Sequence, residues 1–297
     1  MSGNDFKYKL IMTSLRGVAA LNLSILYGIS DFLSFLTHRV LKYRVKVVRN
    51  NLKNSFPEKS DKDLKKIEKQ FYHHLGDVIV ETIKLLNISD KELKRRVKLQ
   101  NTELVDSIVA EKKPIILFLG HYGNWEWVPV ITKYYNNDLS MGTLYKPLHS
   151  HVMDRVMKAI RGTFNMELIE SKTAYRFLLE KKRQEIPFMV GFIGDQRPLS
   201  ANQKHHIEFL NQPTTVHIGG EIIGRKVGAK FLYLDVEMKK RGYYNLIFKE
   251  MNINENSPQD SPDNYPFTNL FFKNLEETIR RQPSLWLWSH NRWNMAL

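Results

Sequence analysis

The sequence predicts a mixed α/β fold: a largely parallel central sheet flanked by helices, preceded by an N-terminal hydrophobic helix. Three observations predict it. Apolar runs of strand length fall at 114–119, 140–145, 188–192, 230–237 and 243–248. Helical patterns near 125–135, 149–162, 172–183 and 217–226 separate them, with a last one at 267–281. Strands that alternate with helices pair mostly in parallel and are covered on both faces. Finally, 42% apolar residues in a chain of 297 supply enough side chains for a sizeable core. We divide the chain near residue 56, into a segment 1–56 that meets a membrane and an α/β domain 57–297.

From the start of the chain, residues 17–36 are the longest apolar stretch, although they carry Asp31 and several Asn and Ser residues. Their length matches a bilayer crossing. Two readings stand: a single helix inserted in or across a membrane, or an amphipathic helix packed on the protein itself. Between Arg39 and Lys53 there are six basic residues and no acid. Arg39, Lys42, Lys46, Arg49 and Lys53 follow steps of three and four and fall on one helical stripe, beside a second stripe of Leu41, Val45, Val48 and Leu52. Such a helix suits an anionic membrane surface, a solvated face or a nucleic-acid patch. Its position directly after the apolar stretch favours the membrane and puts the rest of the chain on the cytoplasmic side.

Asn54-Ser55-Phe56-Pro57 breaks this helix. Ser60 and Asp63 form an N-cap signal for a helix over 61–86, carried by Leu64, Ile67, Phe71, Leu75, Val78, Ile79 and Ile83. His73 and His74 within it are adjacent, so they diverge by about 100° and read as packing or surface groups. The stretch at 252–265, rich in Pro, Asn and Asp, reads as a surface loop.

Forty-five Lys and Arg against 31 Asp and Glu give a net charge of +14, which suits an anionic partner. The chain has no cysteine, which excludes a thiolate nucleophile and disulfides. No helix-turn-helix, zinc or RNP-type signature supports nucleic-acid binding. A zinc site lacks a third ligand at motif spacing: His205-His206 are distant, and His-Glu-x-x-His is absent.

The sharpest chemistry lies at the end of the first strand. Gly120 is followed by His121 and, five positions on, by Glu126, around a Gly123-Asn124 turn. A histidine and a carboxylate leaving one buried strand are the parts of a base and its orienting partner. They are also what an ordinary strand end and helix start look like. Gly194-Asp195-Gln196-Arg197-Pro198 follows the 188–192 strand, Tyr145-Lys146-Pro147 ends another, and Arg161-Gly162 ends the next helix. In such sheets ligands sit beyond the strand C-termini, which would gather these groups at one edge.

Residues 115–126, 145–147, 161–162, 194–198 and the tail 286–293 stand in the order of one family. The chain resembles the bacterial lipid A late acyltransferases, within the wider glycerolipid and lysophospholipid acyltransferase superfamily with its His-x4-Asp/Glu box. By that resemblance His121 is the catalytic base and Glu126 its partner, Arg161 holds an anionic or oxyanionic group, and Asp195 supports the site. Asn124, Tyr145, Lys146, Gln196 and Arg197 are implied as substrate-binding positions. Lys146 stands where the family often has arginine, and an ammonium binds phosphate with less geometric definition than a guanidinium. The implied reaction moves a fatty acyl group from a thioester, with acyl carrier protein as partner, to a hydroxyl of a lipid A precursor at the bacterial inner membrane. No cofactor is implied beyond the thioester co-substrate. The box alone does not separate lipid A from lysophospholipid, glycolipid or aminolipid acceptors.

Overall fold

The computed structural model describes residues 3–135, 139–170, 172–198, 205–253 and 264–293. Its centre is a seven-stranded sheet. In chain order the strands are β1 (Val97–Gln100), β2 (Ile115–Leu119), β3 (Ser140–Tyr145), β4 (Glu167–Glu170), β5 (Phe188–Ile193), β8 (Lys230–Lys240) and β9 (Tyr243–Glu250). A separate two-stranded hairpin is formed by β6 (His206–Phe209) and β7 (Gln212–Thr215). The spatial order is β1-β9-β8-β2-β5-β3-β4. Every neighbouring pair is parallel except β8 and β9. All five residues of β2 are buried, as a central strand covered on both faces requires. The five expected strands are all present; β1 and β4, four residues each, are too short to show a period.

Most expected helices also form: α4 (Asp61–Lys84), α7 (His151–Arg161), α8 (Ala174–Arg183), α9 (Gly219–Val227) and α10 (Pro266–Arg281). Ser60 caps α4 by accepting the Asp63 amide at 3.2 Å. The helix expected at 125–135 is instead a run of tighter 3₁₀ turns, Trp125–Lys133. Pro129 inside it has no N–H to give, so regular α turns cannot propagate through it. Two short helices went unforeseen, α5 (Asp90–Arg96) and α6 (Thr102–Ala110). Of the loop expected at 252–265, residues 254–263 lie outside the described residues.

The N-terminal segment corrects two expectations. Residues 17–36 are not one helix. The chain forms an N-terminal helical hairpin, α1 (Gly3–Ala20) and α2 (Leu23–Phe35), with a bend of 117° at a break where Asn22 caps α2 by accepting the Ile25 amide. No single helix among the described residues is long and apolar enough to cross a membrane, though the bent pair passes that test together. The basic stripe over 39–53 is likewise interrupted. Lys42 and Arg44 adopt left-handed φ of 48° and 52°, so α3 begins only at Val45 and runs to Ser55. Its apolar face, Val45, Val48 and Leu52, is buried in the same core as the sheet and does not face a membrane.

α2 buries a mixed face, Leu23 and Leu26 together with Ser30 and Ser34. Ser30 and Ser34 are buried against α4, where Ser30 donates to Asp77 at 2.6 Å and Ser34 to the Tyr72 carbonyl at 3.0 Å. Gly76 permits this close crossing, since a Cβ there would stand 2.5 Å from Ser34 Oγ. Its two phenylalanines point away from the protein: Phe32 is 63% exposed and Phe35 59%. Phe6 and Leu10 of α1, and Val40 and Leu41 just past α2, are exposed too. Asp31 is neutralised by Arg241 at 2.7 Å and sits 2.8 Å from His73.

Candidate active site

β2 and β5 pair with Leu119 opposite Ile193. Two residues further along each strand stand His121 and Asp195, and the same register brings them together. The Asp195 carboxylate accepts from the His121 ring Nδ1 at 2.6 Å, from the His121 backbone amide at 2.9 Å and from Trp286 Nε1 at 2.7 Å. Asp195 is 2% exposed. Burial alone would raise its pKa; the charge of His121 and the bonds from its ring, from Trp286 and from the His121 amide outweigh that and hold it at about 2. With Nδ1–H committed to a carboxylate, the imidazole keeps Nε2 as its acceptor. Gln196 Nε2 lies 3.2 Å from that atom, and the Trp125 ring stands edge-on to the imidazole at 5.3 Å.

The orienting carboxylate is therefore Asp195 and not Glu126, which corrects the reading of the His-x4-Glu spacing as a hydrogen-bonded pair. Five residues along this loop lead to a different partner. Glu126 closes bidentately on Arg161, at the end of α7, with distances of 2.6 and 2.9 Å. Burial would lower the Arg161 pKa, and the bonds and charge of Glu126 more than restore it, so the guanidinium stays charged. The fork uses Nε and Nη2, and both residues line the same cavity as His121.

The loop owes its shape to internal bonds. Gly123 sits at φ +60°, where a Cβ would also meet Val236 at 2.7 Å. Its amide donates to the Leu285 carbonyl at 3.0 Å, and its carbonyl accepts from the buried His74 at 3.0 Å. Asn124 is 1% exposed and does not line the cavity, contrary to its expected place in substrate binding. Its amide nitrogen donates to Glu81 at 2.6 Å, and its oxygen accepts from the Glu126 amide at 3.1 Å. Glu81, on α4, is fully buried and also accepts from Tyr27 of α2 at 2.8 Å and from Tyr244 of β9 at 2.9 Å. Burial raises its carboxyl to about 7 despite these bonds.

The C-terminal tail completes the site. Tyr122 and Trp286 form an antiparallel bridge, and the Leu287 amide donates to the His121 carbonyl at 3.1 Å. Asn51 of α3 holds this tail through the Trp288 and His290 carbonyls at 2.9 and 3.0 Å. His290 lines the cavity. Burial, and then the nearby Arg292 and Arg44, lower its pKa to about 4 against the pull of Asp195, so the ring is neutral at neutral pH.

The cavity encloses about 940 Å³ at the C-terminal edge of the sheet. Gln196, Arg197, Tyr145, Lys146 and His217 share its polar part with His121. Elsewhere Leu119, Ile131, Met141, Met166, Met189 and Ile223 wall it with apolar surface. His217, His290 and Trp125 were not singled out in the sequence. The tail was noted only as a block, and an isolated histidine at 217 carries no local signal.

An imidazole at a strand edge, held by a buried carboxylate and opening into an apolar-walled cavity, is suited to accepting and passing on a proton beside a hydrocarbon chain. The family model for bacterial lipid A biosynthesis acyltransferases matches residues 6–295. The chain belongs to that family. It is accordingly an acyltransferase of the lipid A type. Among curated proteins no match was found. In this acyltransferase, the His-x4-Glu spacing sets one loop that serves two pairings, His121 with Asp195 and Glu126 with Arg161.

Proposed function

We propose that the enzyme transfers a fatty acyl group from a thioester, carried by acyl carrier protein, to a hydroxyl of a lipid A precursor, with His121 as general base. The observation that carries this reading is the His121 imidazole held at Nδ1 by buried Asp195, with an apolar-walled cavity beside it. The thioester's chain lies in that cavity. The acceptor hydroxyl displaces Gln196 from Nε2, gives its proton to the ring and attacks the carbonyl. The new ester C–O bond forms, the C–S bond breaks, and the proton passes from His121 to the departing thiolate. The developing imidazolium is stabilised by Asp195. Gln196 and the Arg161 Nη1 atom, outside the fork with Glu126, are the candidate donors to the oxyanion. A chain without cysteine suits direct transfer with no acyl-thiol intermediate.

The outward apolar residues of α1 and α2 and the net charge of +14 support a monotopic seat on an anionic bilayer. In this seat the enzyme lies on the cytoplasmic face of the inner membrane, where acyl carrier protein is within reach. The acidic carrier docks on the basic surface, and Tyr145, Lys146 and Arg197 meet substrate at the cavity mouth.

The test is turnover of an acyl carrier protein thioester with a lipid A precursor in mixed micelles. His121→Ala should lower turnover by about 10²–10⁴-fold while leaving the circular dichroism spectrum and vesicle binding unchanged. Near-normal turnover in that variant removes the mechanism.

A further inference from the structure

The proposed transfer brings two acylated substrates, the thioester and the lipid acceptor, to one histidine, and the thioester's chain lies in the catalytic cavity. A second hollow of about 420 Å³ lies between the end of the N-terminal hairpin, α4 and the C-terminal tail. Leu75 and Ile79 of α4, Leu287 of the tail and the ring of Tyr43 give it apolar walls, and Arg44 supplies a cation. His290 is common to this hollow and to the catalytic cavity. The partition between the two is the tail segment, whose Leu287 amide is bonded to the His121 carbonyl at 3.1 Å.

Two further observations bear on what would occupy it. Tyr43 and Ile79 are 47% and 41% exposed, and Val40 and Leu41 beside Tyr43 continue the outward apolar surface of the hairpin. The hollow therefore borders the face that we place against the bilayer. On the partition itself, His290 Nδ1 is enclosed without a hydrogen-bond partner among the described residues. Arg44 donates to the Ser289 carbonyl at 2.9 Å through one nitrogen, which anchors the cation on the wall.

We propose that this second hollow is the acceptor site. It takes one acyl chain of a phosphorylated, acylated lipid from the membrane face, sets an anionic headgroup group on Arg44, and passes the acceptor hydroxyl by His290 to His121. Donor and acceptor chains then lie on opposite sides of residues 286–290. This inference rests on the acyl-transfer reading above.

The experiment uses the full chain, a long-chain acyl carrier protein thioester as donor and a phosphorylated lipid A precursor in mixed micelles as acceptor. Ile79→Trp fills the hollow from a half-open position and should raise the acceptor KM roughly tenfold, leaving the donor KM within about twofold of normal. Arg44→Gln should raise the acceptor KM for the phosphorylated lipid and leave it unchanged for the same lipid after phosphatase treatment. An unchanged acceptor KM in both variants, or equal rises in donor and acceptor KM, overturns the acceptor site while the acyl-transfer reading stands. No transfer by the unsubstituted protein with any thioester overturns both.

Discussion

The strand edge and the N-terminal hairpin handle polarity in opposite ways. At the edge, polar groups converge on a cavity from the ends of β2 and β5, and apolar side chains wall it from within. In α2 Ser30 and Ser34 are inside, beside Leu23 and Leu26, and both phenylalanines are outside. Both regions carry a mixture of apolar and polar residues, and their sequences alone assign neither face. What decides is the surface offered by the partner element. α4 presents Gly76 and hydrogen-bonding groups to α2, so Ser30 and Ser34 fit there, and Phe32 and Phe35 are left on the outer surface.

The two regions meet at Glu81, which accepts from Tyr27 of the hairpin and from Asn124 of the catalytic loop. Substitutions on each side can break the contrast or refine it. The largest effect belongs to the edge. Asp195→Asn keeps the shape but removes the charge that fixes the imidazole and stabilises its protonated form, and should cost about 10³-fold in kcat with a smaller change in KM. If kcat falls less than tenfold, Asp195 is structural and the edge is not a proton-transfer site.

The joint is next. Glu81 folded titrates at about 7, against 4.5 as its ordinary value. The folded chain thus retains a proton that the unfolded chain loses near pH 4.5. Stability from this group is complete below 4.5 and is lost as pH rises through 7, by about 3 kcal/mol. Denaturant titrations at a series of pH values should show that decline in the wild type and a flatter profile in Glu81→Gln. An unaltered profile would assign the decline to other groups.

The outward face of the hairpin comes third. Phe32→Ser should weaken binding to anionic vesicles by about 2 kcal/mol, the value of one buried aromatic side chain, with little change in thermal stability because the ring touches no core. A loss of stability in place of vesicle affinity would mean that Phe32 packs on protein. Smallest is Ser34→Ala on the inward face, expected to cost about 1 kcal/mol in stability for its lost bonds to the Ser30 and Tyr72 carbonyls, and nothing in vesicle affinity.

Much of the fold was readable because the buried strands are long apolar runs with turn residues after them. β2 and β5 were found this way, and with them the strand ends that bear His121 and Asp195. Their pairing to each other was not readable, since register between strands is set by packing across the sheet and leaves no local trace. That is why a spacing of five residues suggested Glu126 as the partner of His121, when a separation of 74 residues supplies it. Arg161, placed by the resemblance, does reach the site, but as the mate of Glu126. The break at Asn22 and the left-handed turn at Lys42 and Arg44 were hidden for a related reason. None of these residues is glycine or proline, so the sequence carries no local breaker signal at either place.

The bridge between Tyr122 and Trp286, with the indole bond from Trp286 to Asp195, ties the His121–Asp195 pair to a segment made long after it. A ribosome that has delivered both His121 and Asp195 has still not delivered the donor that fixes the aspartate. Chains interrupted before that tryptophan would hold their aspartate one bond short. Under the proposed mechanism, competence therefore waits for a residue made 91 positions after the aspartate.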